Sequence, residues 1–151
     1  MSDIDRKRVL LAQHERIGAL ASMVRAAAGT VLSAEDPVSA PHREQLERAI
    51  EALVLGIEAH LDTEEGLIRP VLWRLGSWGR YRFDMLRAEH VQQRATLHAL
   101  CSERSGIEPY RRARKAASLA EEIVRDMRVE ERDLFAVVFP AAGTSSGTAG
   151  R

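Results

Sequence analysis

Leu53, Ile57, His60, Glu64, Leu67 and Val71 recur at steps of four and three residues, the rhythm that keeps side chains on one face of an α-helix. That face is apolar except at its middle, where a histidine and a glutamate stand four residues apart in HLDTEEGLIRP, positions 60–70. A chain that folds with this stripe inward must find something to neutralise the pair inside its core.

Three further segments carry stripes of the same kind. The first, about residues 2–28, presents Ile4, Leu11, His14, Ile17, Ala21 and Val24. The third, about 80–103, presents Phe83, Leu86, His90, Leu97 and Cys101, and the fourth, about 108–139, presents Leu119, Ile123, Asp126, Glu130, Leu134 and Val137. With the second at about 41–70 or slightly beyond, four helical segments are predicted, separated by AGTVLSAEDPVSAP, LGSWG and SGIEP, where Gly, Pro and Ser collect. Ser2 or Asp3 suits the first cap, Pro41 suits a first helical position, and Pro140 closes the last segment. No strand-like alternation is present. Helices of ~25 residues are nearly 40 Å long, and short connections make sequential helices antiparallel neighbours. The expected fold is all-α, an up-down-up-down four-helix bundle over residues 1–140. The small, polar AAGTSSGTAGR at 141–151 is expected to be a disordered tail.

Composition narrows the setting. The 151 residues amount to about one domain, with a core large enough to need no staples. Lys plus Arg equals Asp plus Glu at 22 each, which gives nucleic acid no overall charge to bind. No run approaches the ~20 apolar residues of a membrane span, and MSDIDRKRVL does not read as a secretion signal. A soluble, cytoplasmic protein is expected. The single Cys101 excludes an internal disulfide and a CxxC zinc site, and reads as a small core residue.

An internal repeat sharpens the reading of the polar positions. His60-Leu-Asp-Thr-Glu64-Glu65 in the second segment parallels Asp126-Met-Arg-Val-Glu130-Glu131 in the fourth, and Ala12-Gln13-His14 parallels Ala88-Glu89-His90. Two related hairpins would bring these positions to one level of the bundle. Taken singly, each is explained by a hydrogen-bonded core histidine or an exposed helical pair worth ~0.3 kcal/mol. Together they would cost several kcal/mol apiece if buried without partners. A di- or trivalent metal neutralises such a set, and imidazole with carboxylate but no thiolate suits iron, manganese or zinc. A ferritin-like di-iron site is disfavoured, since no histidine has a glutamate three residues before it.

With HxxxEE followed shortly by Pro70, single histidines at 14 and 90, and EE-x-x-L-F before Pro140, the sequence resembles the hemerythrin-like, or HHE cation-binding, domain family from His14 to Pro140. The resemblance implies an antiparallel four-helix bundle around a non-haem centre of two iron ions. It implies His14 and His60 on one iron, Glu64 as a bridge, His90 on the other iron, and a second bridge from Glu130 or Glu131. Two positions depart from the family. Its last helix carries a histidine where this chain has Asp126, and its third often carries one where this chain has Arg94. Asp126 can still ligate as a hard oxygen donor. Arg94 cannot, and is expected to support the site by pairing with Asp126 or an outer glutamate. An asymmetric site follows, with one well-ligated metal and a second that is oxygen-rich, weaker or absent. His98, about 80° round the helix from His90, and His42, near the start of its helix and expected to be solvated, are not expected to ligate.

The resemblance implies binding or sensing of dioxygen, peroxide or nitric oxide, or holding of iron, with a peroxide-consuming activity as a secondary reading. Fewer imidazoles should favour the ferric state, against simple oxygen carriage. No general base or nucleophile is assigned. The alternative is a metal-free helical interaction module stabilised by Arg94 with Asp126 and Glu130. RRARK at 111–115 reads as a solvated basic face or a dock for an acidic partner. Trp73 and Trp78 read as caps on the bundle end, or, if exposed, as an interface for a homodimer or another protein.

Overall fold

The computed structural model describes residues 1–34, 40–103 and 108–140. Four long helices, α1 (Asp3–Ser33), α2 (Ala40–Arg74), α3 (Gly76–Ser102) and α4 (Pro109–Asp133), are followed by a single turn, α5 (Phe135–Val138), with no strand among the described residues. They form the expected antiparallel bundle. The sequence placed each helix but undershot two bounds: α1 runs five residues past Ala28, and α3 begins at Gly76, ahead of Arg80, whereas α2 ends at Arg74, slightly beyond Pro70 as expected. The expected tail at 141–151 lies outside the described residues.

Local chemistry explains the ends. Ser2 caps α1 in a reciprocal box with Asp5, and Glu108 accepts from the backbone N–H groups of Tyr110 and Arg111 with Pro109 in the first helical position. LGSWG, expected to be a connection, is mostly helix. The chain reverses at Leu75 and Gly76, where Gly76 takes φ +74°, a left-handed conformation that favours glycine. Three residues on, a Cβ at Gly79 would stand 1.8 Å from the carbonyl oxygen of Leu72, so glycine is what lets α3 start flush against the end of α2.

α1 packs broadly on α2 and on α4, and α3 packs on α2, whereas α3 and α4 stand apart. The close α1–α4 approach uses small residues, Ala21 and Ala28 facing the side of Ala113, Ala116 and Ala120. The apolar core is divided in two. One cluster includes Ile17, Val24, Ile50, Leu53, Ile57 and Leu97; the other includes Leu10, Ile68, Leu72, Phe83, Leu86 and Phe135. Burying each such side chain contributes about 1.5–3 kcal/mol. Between the clusters in sequence on every long helix lies a polar position: His14 between Leu10 and Ile17, His60 and Glu64 between Ile57 and Ile68, His90 between Leu86 and Leu97, and Glu130 between Met127 and Leu134.

Several expectations about individual side chains are corrected. Ile4 and Val137 are exposed because the bundle ends before it can cover them, and Cys101 is exposed because Leu97 and Leu100 take the inward phase of α3. His42 is half-buried, and its Nδ1 is shielded without a hydrogen-bond partner, so it is not a solvated residue. RRARK is not one basic face. Arg112 is buried, forms a two-pronged pair with Glu47 at 2.9 and 2.8 Å and donates to the Leu100 carbonyl, while Lys115 pairs with Glu103. Trp73 and Trp78 remain about half exposed, with the Arg69 guanidinium 4.2 Å above the Trp73 ring.

Candidate metal centre

Three imidazoles converge at mid-bundle, each with its Nε2 turned inward. His14 Nε2 lies 3.2 Å from His60 Nε2 and 3.7 Å from Glu130 Oε2. Glu64 Oε2 lies 3.6 Å from His60 Nε2 and 3.1 Å from His90 Nε2. All three histidines and Glu64 are buried, and Glu130 is half-buried.

The outer nitrogens explain this orientation. His14 Nδ1 is 2.7 Å from Glu131 Oε1, His90 Nδ1 is 2.9 Å from Glu65 Oε1, and His60 Nδ1 is 3.0 Å from the side-chain oxygen of Gln13. Gln13 is in turn set by donating to Thr63 Oγ1 at 3.2 Å, which fixes its oxygen towards His60. Carboxylate and amide oxygens only accept, so each neutral ring carries its proton on Nδ1 and offers a lone pair at Nε2. Two such lone pairs 3.2 Å apart repel one another. Two nitrogens held roughly 2.1 Å from one cation at about 100° have this spacing.

The carboxylates make the same case. Neither Glu64 oxygen, nor Glu130 Oε1, is met by a well-aligned donor, although all three atoms are buried. An orphaned buried carboxylate costs several kcal/mol unless a cation completes it. Within the cluster, His14, His60 and Glu130 bring three ligand atoms within 4.8 Å of one another, a group able to hold an ion. Glu64 and His90 adjoin it.

Electrostatics differ among the rings. Burial, reinforced by the neighbouring His14 and His90, pushes His60 down to about 3 and keeps it neutral. Burial opposes protonation of His90 too, but the Glu64 and Glu65 carboxylates against its two nitrogens outweigh it and raise its value. Burial also works against ionised Glu65, yet bonds from His90 and Arg94 hold its carboxyl below the usual range.

The sequence matches the family model for the hemerythrin HHE cation-binding domain over residues 7–138. The chain belongs to the hemerythrin HHE cation-binding domain family. Comparison with curated proteins and with solved structures gave no match.

Against the hemerythrin pattern, His14, His60, Glu64, His90 and Glu130 meet at one place, whereas Glu131 is turned to His14 Nδ1. Arg94 leans outward to Glu65 at 3.2 Å and Asp62 at 2.7 Å, pairing with outer carboxylates and not with Asp126. Asp126 is exposed and faces the space between α3 and α4, because Met127 takes the inward phase of α4 at that level. Gln13 was given no role by its sequence; its place before His14, like that of Glu89 before His90, was the available signal.

Proposed function

We propose that this chain is a non-haem iron protein with an asymmetric centre. His14, His60 and Glu130 would hold one ion, and Glu64 with His90 would hold a second, weaker one. The observation that carries this is the set of three inward Nε2 atoms, each ring fixed by an acceptor at Nδ1, beside buried carboxylate oxygens without donors. Neutral imidazole with carboxylate suits iron among the first-row metals without excluding manganese or zinc.

Iron in such a set supplies a redox-active Lewis acid with coordination positions left for a small ligand. The protein's own part is to keep the lone pairs free and to shield the layer along the bundle axis. Glu131, Gln13 and Glu65 fix the three rings. Phe135 stacks on His14 at 5.3 Å, and the two apolar clusters close the layer from either end. No side chain at the centre is placed as a nucleophile, so binding or sensing of dioxygen, peroxide or nitric oxide, or retention of iron, is favoured over a dedicated hydrolytic reaction. The metal-free alternative loses its main support, since Arg94 bonds to Glu65 and Asp62 instead of to Asp126 and Glu130.

The test is metal content per chain after aerobic purification and after anaerobic ferrous reconstitution, with His60→Ala in parallel. Between about one and two irons per chain, lost in the variant, is expected for an asymmetric site. No bound iron after reconstitution, or the same content in the variant, would overturn the proposal.

A further inference from the structure

Because α3 and α4 stand apart, a cleft of about 480 Å³ opens between them, within the size range of small-molecule sites. Its floor is the polar layer, reached through His60, Glu64, His90 and Glu130. Leu86 and Leu97 on one side, and Leu119, Ile123 and Met127 on the other, make its walls apolar. Glu89, Glu122 and Asp126 also line it.

The charge balance of the lining is one-sided. Above the floor, three carboxylates, Glu89, Glu122 and Asp126, are opposed by the guanidinium of Arg82, which is engaged with Glu89 at 3.3 Å. Burial, and then the neighbouring Glu122 and Glu89 acting against Arg125, lift the Asp126 carboxyl above its usual range. Gln93 adds a shielded side-chain oxygen with no donor, and the Glu64 side chain at the floor is 1% exposed with neither oxygen met by an aligned donor. Away from the floor, carboxylates and carbon therefore predominate around the opening.

We propose that the α3–α4 cleft binds a small organic cation, a protonated amine bearing an apolar chain or ring, with its ammonium group at Asp126 and Glu122 and its apolar part against Leu97, Leu119 and Ile123. A bare metal ion would leave the apolar walls unused, and the acidic side chains here do not converge as His14, His60 and Glu130 do. This site goes beyond the metal centre, because its walls and acidic rim do not depend on an ion at the floor.

The experiment is calorimetric titration of the full chain, metal-free and iron-loaded, with hexylamine, hexanol and hexanoate as probes. Hexylamine is expected to bind at least about ten-fold tighter than hexanol, with no binding of hexanoate. Asp126→Asn should weaken hexylamine about five-fold, and Leu119→Trp, which fills the cleft, should abolish binding while the helical circular dichroism is unchanged. Equal affinity for amine and alcohol, no heat with any probe, or an unchanged affinity in Asp126→Asn would overturn the proposal. Metal content measured on the same samples separates the two readings: amine binding by a chain that takes up no iron would sink the metal centre alone.

Discussion

Glu131 Oε1 lies 2.7 Å from His14 Nδ1, a bond that ties the first long helix to the last and sets which nitrogen of His14 faces the centre. Its neighbour Glu130 points the other way, towards His14 Nε2. Adjacent glutamates thus face different ways, one towards the proposed ion site and one behind a proposed ligand. Glu131→Ala should weaken metal binding about 10–100-fold while leaving the number of sites unchanged. Glu130→Ala should remove a ligand and lower the stoichiometry. Competition with a chelator of known affinity distinguishes the two, and equal losses in both variants would contradict this division.

Opposed lone pairs and donorless carboxylates make the metal-free protein less stable than its apolar clusters would allow. His60→Leu is therefore expected to raise the stability of the metal-free chain by about 1–2 kcal/mol, as replacement of buried ionic groups by hydrocarbon can. The same variant should lose the stabilisation that added ferrous ion gives the parent. Thermal melts with and without anaerobic iron read both signs; a destabilised metal-free variant would show that the cluster is satisfied without an ion.

Acidification gives a separate handle on His60. Its folded value, about 3, lies below the ordinary 6.5, so the unfolded chain binds more protons between these limits. Its contribution to stability is present above about 6.5 and declines as the pH falls through that window. His90 has the opposite sign, its contribution being present below the ordinary value and lost as pH rises through its raised folded value. Melting temperatures of the metal-free protein at pH 7 and 4.5 should fall less in His60→Leu than in the parent, and more in His90→Leu. Identical slopes in all three would show that neither ring is perturbed.

At the α2–α3 junction the prediction is purely steric. Gly79→Ala places a methyl where the Leu72 carbonyl oxygen already stands, and the Leu72 backbone cannot yield cheaply. A destabilisation of about 3 kcal/mol or more is expected by chemical denaturation. Gly66→Ala, at a helical glycine whose added Cβ meets nothing within 4 Å, should instead be neutral or mildly stabilising.

The four helices were legible because the apolar steps of four and three are local, and the packing they imply needs no knowledge of partners. His14, His60, Glu64 and His90 were legible for the same reason, lying in phase with buried leucines and isoleucines on their own helices. Asp126 was not. Steps of three and four allow either 126 or 127 to follow Ile123, and only the packing decides that Met127 turns inward while Asp126 faces the gap beside α3. The Nδ1 partners were equally hidden, since Gln13 meets His60 and Glu131 meets His14 across helices that sequence spacing does not relate. Arg112 looked like surface charge because its half-buried partner, Glu47, lies 65 residues away.

The two hairpins exchange their supports. Glu65, from α2, steadies His90 on α3, and Glu131, from α4, steadies His14 on α1. During synthesis, the first half of the chain emerges from the ribosome with His14 and His60 but without the acceptor that turns His14 inward, which is more than a hundred residues further on. Capture of an ion at the proposed centre would therefore wait until translation of the last long helix is complete, and a loaded centre would certify that both halves have been made and have met.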